Sequence, residues 1–152
     1  MTHPMIASLI AVYPEIPFQK LLGIEVVEVS ADRAVVKLPF RPELAGGGDA
    51  FHGGVIGSLL DLTGALAAWS GHDPERGIKA STVSMTTNFI AAALGKDVIA
   101  SAHAVKRGKE LIFCSVDITE FESGKLVANA EITADIAVQA PALVACCIGA
   151  KW

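Results

Sequence analysis

The spacing of apolar positions divides the chain into elements of two kinds. Pro4 to Tyr13 has the spacing of a short helix, stopped by Pro14 and Pro17. Ile24–Ser30 and Arg33–Leu38 alternate apolar and polar residues on either side of a short SADR connection, which predicts a β-hairpin. Pro39 to Phe51 (PFRPELAGGGDAF) is rich in Pro and Gly and predicts a loop. Residues 53–71 (GGVIGSLLDLTGALAAWSG) read as one long helix, followed by a loop marked by Pro74 and Gly77. Four further alternating runs predict strands: Ser81–Ile90, Val98–Val105, Glu110–Phe121 and Lys125–Ile136. KRGKE (106–110) and ESGK (122–125) supply Gly-containing turns between the last three. The order β-β-α-β-β-β-β predicts a single α+β domain, an antiparallel sheet wrapped on one helix. The tail after Ile136 is apolar and receives no element; its plain reading is packing on the core or on a neighbouring subunit.

The helix places its residues unevenly around its axis. At about 100° per residue, Leu62, Leu66, Leu59, Thr63, Ile56, Ala67 and Leu60 fall on one arc. Gly64, Gly57, Ala68, Asp61, Gly54, Ala65 and Ser58 fall on the other. Asp61 is the one ionisable side chain between Gly53 and Gly71. A solvent-facing arc usually carries Lys, Glu and Gln, whereas Gly and Ala permit close approach by a backbone or a ligand. An ionised carboxylate in such company is costly unless it is paired or wet. Two readings are open on this pattern. Asp61 is a functional carboxylate, or it caps another segment or meets a lysine across an interface. The His52-Gly53-Gly54 run just before the helix body is similarly open. It is a tight helix start, or a set of exposed N–H groups at the positive end of the helix, suited to a carbonyl that gains negative charge.

Composition narrows the class. The chain has 152 residues, 52% hydrophobic and 18% charged, with mean hydropathy +0.50. This is greasier than an average soluble domain, so the chain is membrane-bound or buries surface against copies of itself. A spanning helix needs about 20 apolar residues, and residues 53–71 carry Asp61 and five glycines. The first residues, MTHPMIASLI, lack a basic start and a clear cleavage site. A cytoplasmic homo-oligomer is the expectation. A net charge of −4 offers no broad basic surface for nucleic acid. Cys114, Cys146 and Cys147 form no C-x-x-C pair, and His3, His52, His72 and His103 show no metal-ligand spacing. Neither a metal nor a cofactor is expected.

An HGG run with an Asp nine residues after the His, on a long helix, resembles the hotdog-fold acyl-CoA thioesterases, and most closely their PaaI-like branch. FQKLLGI (18–24) is similar to that family's approach to its first strand, and STVSMTTNF (81–89) to its third strand. Val105 to Thr133 (VKRGKELIFCSVDITEFESGKLVANAEIT) is similar to its last two hairpins. The resemblance covers about residues 18 to 136.

It implies a hotdog fold, with the sheet wrapped around the central helix, and a homodimer joined edge to edge and often paired into a homotetramer. Active sites would lie at the subunit interface, with the helix N-terminus of one chain facing Asp61 of the other. It implies an acyl-CoA thioester as substrate, CoA being part of that substrate. The Gly53 N–H would polarise the thioester carbonyl, and Asp61 would act as general base or nucleophile. Thr82 would help position the water. His52 would shape the pocket, Gly54 and Phe89 would line it, and Lys106, Arg107 and Lys109 around Gly108 would meet CoA phosphates. Without the resemblance, KRGK reads as an ordinary solvated turn.

One position departs from the pattern. Many catalytic members carry a polar residue, often Asn, six positions before the HGG histidine. Here that position is Gly46. The third strand also runs on as FIAAA where relatives often have a Pro-containing exit. A non-catalytic acyl-CoA or aromatic-ligand binding protein on the same fold is therefore the competing reading. A hotdog dehydratase fits less well, because His52 precedes the helix instead of lying within it.

Overall fold

A computed structural model describes residues 4–73 and 79–136. The apolar tail, Cys146, Cys147, His3 and the loop at Pro74 and Gly77 lie outside the described residues. The elements are α1 (Pro4–Val12), a 3-10 turn (Tyr13–Glu15), α2 (Pro17–Leu22), β1 (Glu25–Ser30), β2 (Arg33–Leu38), a second 3-10 turn (Pro42–Leu44), β3 (Ala45–Gly47), β4 (Ala50–Phe51), α3 (Gly53–Ser70), β5 (Ala80–Phe89), β6 (Val98–Arg107), β7 (Leu111–Glu120) and β8 (Leu126–Ile136). The segment after Pro17 is thus helical where the sequence shows only an approach to β1. Its α2 starts on a proline and ends on Gly23 at φ +75, a left-handed stop that suits glycine. The Gly-rich stretch after β2 also contains the small β3–β4 hairpin.

The sheet has six antiparallel strands in the order β1-β2-β6-β7-β8-β5. The β1–β2 turn places Asp32 at φ +62, a conformation Asp tolerates better than most residues. Strands β7 and β8 alternate in burial, so Cys114, Val116 and Ile118 share the inner face with Ala130, Ile132 and Ala134. Helix α3 lies across that face, burying Ile56, Leu59, Leu60, Thr63, Leu66 and Ala67 in the one core. Each fully buried leucine contributes about 1.5–3 kcal/mol. The inner face is rich in alanine, which lets the helix approach closely. A Cβ at Gly64 would lie 2.7 Å from Ile132 Cδ1 and 3.3 Å from Val116 Cγ2.

That contact corrects the helical wheel. Gly64 and Ala68 are buried with the leucine arc, so they are not part of a separate small-residue face. Asp61, Ala65 and Ser58 remain partly exposed. Asp61 therefore stands at the border of the core, beside β5, and not at the centre of a face of small residues. The wheel assumed that bulk marks the buried side, but here small residues on both partners bring helix and sheet together.

Candidate active site

The start of α3 leaves one donor open. His52 is the N-cap, in extended backbone (φ −61, ψ 137), and its Nδ1 accepts from the Gly54 N–H at 2.9 Å. Its carbonyl accepts from the N–H groups of Val55 at 2.9 Å and Ile56 at 3.1 Å. Gly53 is the remaining member of the first turn, and among the described residues its N–H has no hydrogen-bond partner. With Nδ1 accepting, a neutral His52 ring carries its proton on Nε2. His52 is anchored behind by its own N–H, which donates to the Leu44 carbonyl at 2.9 Å. A Cβ at Gly46 would lie 2.9 Å from His52 Cα, so the absence of a side chain at 46 lets β3 press against the N-cap.

Eight residues along α3, Asp61 receives a hydrogen bond from β5. Thr82 Oγ1 donates to Asp61 Oδ1 at 2.5 Å. The pairing depends on an irregularity in the strand. Thr82 pairs with Ala134, but Ser84 pairs with Thr133, so Val83 is an extra residue, a β-bulge. Before the bulge the inward positions are Ala80 and Thr82. After it they are Met85, Thr87 and Phe89, opposite Ile132, Ala130 and Ala128. The bulge thus aims Thr82, Met85 and Phe89 at the same helix. Together with Gly53, Gly54, Gly57, Ser58 and Asp61 they line one open groove. On the far side of Phe89 and Gly53, a second cavity runs between α3 and the Ile90–Ala93 segment.

Beneath Asp61 the N-terminal segment holds the helix. Tyr13 is buried, and its hydroxyl donates to the Leu62 carbonyl at 2.7 Å. Burial pushes the Tyr13 hydroxyl above its ordinary pKa; the Gln19 side chain opposes this shift and the Asp61 charge adds to it.

The KRGK cluster sits elsewhere. The Arg107 Nε donates to Asp32 at 2.9 Å, and its guanidinium donates to the Ala68 carbonyl at 2.8 Å. It therefore braces the β1–β2 turn against the C-terminal end of α3. Gly71 makes room for this pair, since a Cβ there would lie 2.7 Å from the Arg107 guanidinium. A Cβ at Gly108 would meet the Leu111 carbonyl at 2.8 Å, so Gly108 is needed to close the turn. Lys106 and Lys109 are exposed. The structure thus brings Gly53, Gly54, Asp61, Thr82 and Phe89 to one groove, with His52 capping its end. It places Lys106, Arg107, Gly108 and Lys109 at the opposite end of the helix from Gly53.

Sequence reasoning missed Met85 in the groove and Tyr13 beneath it, whereas Gly57 already stood on the small-residue arc with Asp61. The bulge that turns Met85 inward leaves no mark in the pattern, and the long-range bond of Tyr13 has no local signal.

Among the described residues, no helix is long and apolar enough to cross a membrane, and no group of three or more His, Cys, Asp or Glu gathers as a metal site.

Comparison with known proteins bears on the family and the fold. The family model of the thioesterase superfamily matches residues 48–127. Human acyl-coenzyme A thioesterase 13 is 31% identical over 118 residues, which is 76% of this chain and 82% of that protein. The crystal structure of zebra fish thioesterase superfamily member 2 superposes with a TM-score of 0.78 at 25% identity, covering 89% of this chain and 100% of that one. The E. coli PaaI protein from the phenylacetic acid degradation operon shares the fold, with a TM-score of 0.78 at 24% identity over 89% of this chain and 94% of its own. With its family model spanning the central helix and the strands around it, the chain belongs to the thioesterase superfamily and has the hotdog fold of those thioester hydrolases.

Proposed function

We propose that the chain hydrolyses an acyl-CoA thioester to the carboxylic acid and free CoA. The observation that carries this reading is a partner-free helix N-terminal N–H at Gly53 and a carboxylate at Asp61, both opening beside the edge strand β5, where a second chain can bring each to its counterpart. The Gly53 N–H meets the thioester oxygen where negative charge develops. Asp61 takes the proton of an attacking water, or attacks the carbonyl carbon itself; the thiolate of CoA leaves in either case. Thr82 holds Oδ1 of Asp61, which leaves Oδ2 to face the reacting atoms. His52 keeps the helix start open by capping Gly54 and not Gly53.

A single chain does not complete this site. Gly53 and Asp61 are eight residues apart on one helix, about 12 Å along its axis. One carbonyl cannot touch the first while its water touches the second. β5 is the last strand of the sheet, with Val83 and Met85 exposed, and such an edge accepts another strand. A homodimer joined along β5 sets Gly53 of one chain near Asp61 of its partner, and pairs of dimers give the tetramer. Lys106 and Lys109 then serve the CoA phosphates, while Arg107 is taken up by Asp32 and the Ala68 carbonyl and braces the β1–β2 turn.

The experiment is CoA release, followed with a thiol reagent, over acyl-CoA esters from acetyl to hexadecanoyl and including aryl esters. Turnover should depend on Asp61. Asp61→Asn should lower kcat by about 10²–10⁴ with the melting temperature nearly unchanged. Equal slow release from both proteins removes Asp61 from the chemistry. A second reading, an acyl-CoA-binding hotdog protein without turnover, is favoured by Gly46. It predicts saturable binding of the esters with no CoA released.

A further inference from the structure

The second cavity bears on the substrate. It has a volume of about 330 Å³ and meets the groove at Gly53 and Phe89. Its wall comes from the FIAAA run that departs from the family pattern. Phe51, Ile56, Ile90, Ala91, Ala93 and Val127 contribute to it, and no ionisable side chain lines it. Much of the backbone there is already paired. The Ile90 and Ala91 N–H groups donate to the Val127 carbonyl at 2.8 and 3.0 Å, and the Phe51 N–H donates to the Ala93 carbonyl at 3.3 Å. These bonds staple the run between β8 and β4, so the chamber is a fixed recess of the fold, open to solvent at Phe89, Ile90 and Ala92. Its side chains offer a ligand apolar contact and little else.

We propose that this chamber holds the acyl group of the substrate, that the group is compact, apolar and uncharged, and that the Ala91 and Ala93 side chains set its size. The inference rests on the thioesterase reading above. A thioester oxygen bonded to the Gly53 N–H sends its two substituents to opposite sides of the carbonyl carbon. One side opens on this chamber, the other on the groove at Gly54 and Gly57, where the dimer of the reading above brings the partner chain's carboxylate. The CoA arm carries amides and phosphates, for which the lining side chains offer no hydrogen-bond partner, and the Ala92 carbonyl at the rim already accepts from Lys125 Nζ at 3.4 Å. The acyl group has no such cost and gains by burial. Size then selects. A dry cavity of about 150 Å³ holds a benzene molecule, so this chamber, about twice that volume, has room for the ring of a benzoyl group or the chain of a hexanoyl group, while a hexadecanoyl chain exceeds it.

The test is a graded series, Ala91→Val and Ala91→Leu, assayed as the full chain with acetyl-, hexanoyl-, benzoyl- and hexadecanoyl-CoA. Ala91 is only half-buried, and the valine variant keeps the test alive if leucine impairs folding. Wild type should favour hexanoyl- and benzoyl-CoA. The leucine variant should lower their kcat/KM at least about tenfold and leave acetyl-CoA nearly unchanged. The same pattern should hold for the matching N-acetylcysteamine thioesters, which lack most of the CoA arm. An unchanged acyl profile overturns the assignment. So does an equal loss on all esters including acetyl, which places the CoA arm in the chamber. If wild type releases CoA from no ester, the thioesterase reading fails, and binding to the wild-type chain decides the chamber. Hexanoyl-CoA binding tighter than CoA, with the difference removed by Ala91→Leu, upholds it. Equal binding of the two overturns it.

Discussion

Thr82 Oγ1 donates to Asp61 Oδ1 at 2.5 Å, tying the edge strand of the sheet to the middle of the central helix. A hydrogen bond to a charged group is worth about 1.5–3 kcal/mol, or roughly tenfold to a hundredfold in rate at 1.36 kcal/mol per decade. Thr82→Ala should therefore lower kcat by about that factor and change KM little. Thr82→Ser keeps the hydroxyl and should retain most activity. Steady-state kinetics on the pair decides it, and equal losses in both variants would show that only the methyl matters.

Gly53 is the first residue of α3, where proline is tolerated because its missing N–H is an orphan anyway. His52 before it is already extended, as a residue preceding proline must be. Gly53→Pro should fold normally and delete the single donor assigned to the thioester oxygen. Loss of one such donor costs about 10²–10³ in kcat. Circular dichroism with the CoA-release assay separates the two effects, and a folded, fully active variant would remove Gly53 from the mechanism.

The same variant tests whether the site is shared. In a mixed dimer of Asp61→Asn and Gly53→Pro chains, one of the two interface sites keeps both intact groups. After subunit exchange of equal amounts, random pairing makes half of the dimers mixed, so about one quarter of wild-type activity should return. No recovery after exchange is demonstrated by mass labelling would place both groups of each site in one chain.

Arg107 and its lysine neighbours should behave differently. Arg107→Ala leaves the Ala68 carbonyl and Asp32 without their partner and should cost about 1–2 kcal/mol of stability. Lys106→Ala with Lys109→Ala should raise KM for CoA esters and not for truncated thioesters. Thermal unfolding and paired KM measurements test both claims. A KM effect as large for the truncated ester would end the phosphate-binding role.

Alkaline stability should report on Cys114. Burial pushes this thiol from 9.0 up to about 11. The folded state holds its proton more tightly than the unfolded chain, so the contribution is full below about pH 9 and is lost as pH rises toward 11. Urea unfolding between pH 8 and 11 should show that slope, and Cys114→Ala should flatten it. An unchanged slope would assign the loss to other groups, buried Tyr13 foremost.

Much of the fold was legible in the chain order. Strands announce themselves by alternation, because one face of a half-buried strand must be apolar, and β2, β6, β7 and β8 follow that rule, while a bulge between Val26 and Glu28 breaks it in β1. The long helix is legible because 18 residues free of proline, with apolar residues recurring at helical spacing, have no better state. The HGG run and the spaced aspartate were visible for the same local reason: cap, glycine and carboxylate sit on one element. What lay beyond the pattern depends on contacts between distant segments. Gly64 looks like an open position until Ile132 and Val116 are brought against it. Thr82 and Met85 look as if they face opposite ways until the bulge at Val83 resets the strand. Arg107 looks like a free cation until Asp32 and Ala68 arrive from 75 and 39 residues away. Sequence periodicity reports which side of an element is apolar; it carries no information on which residues of two elements meet, because that is set by close packing and hydrogen-bond geometry across the whole domain.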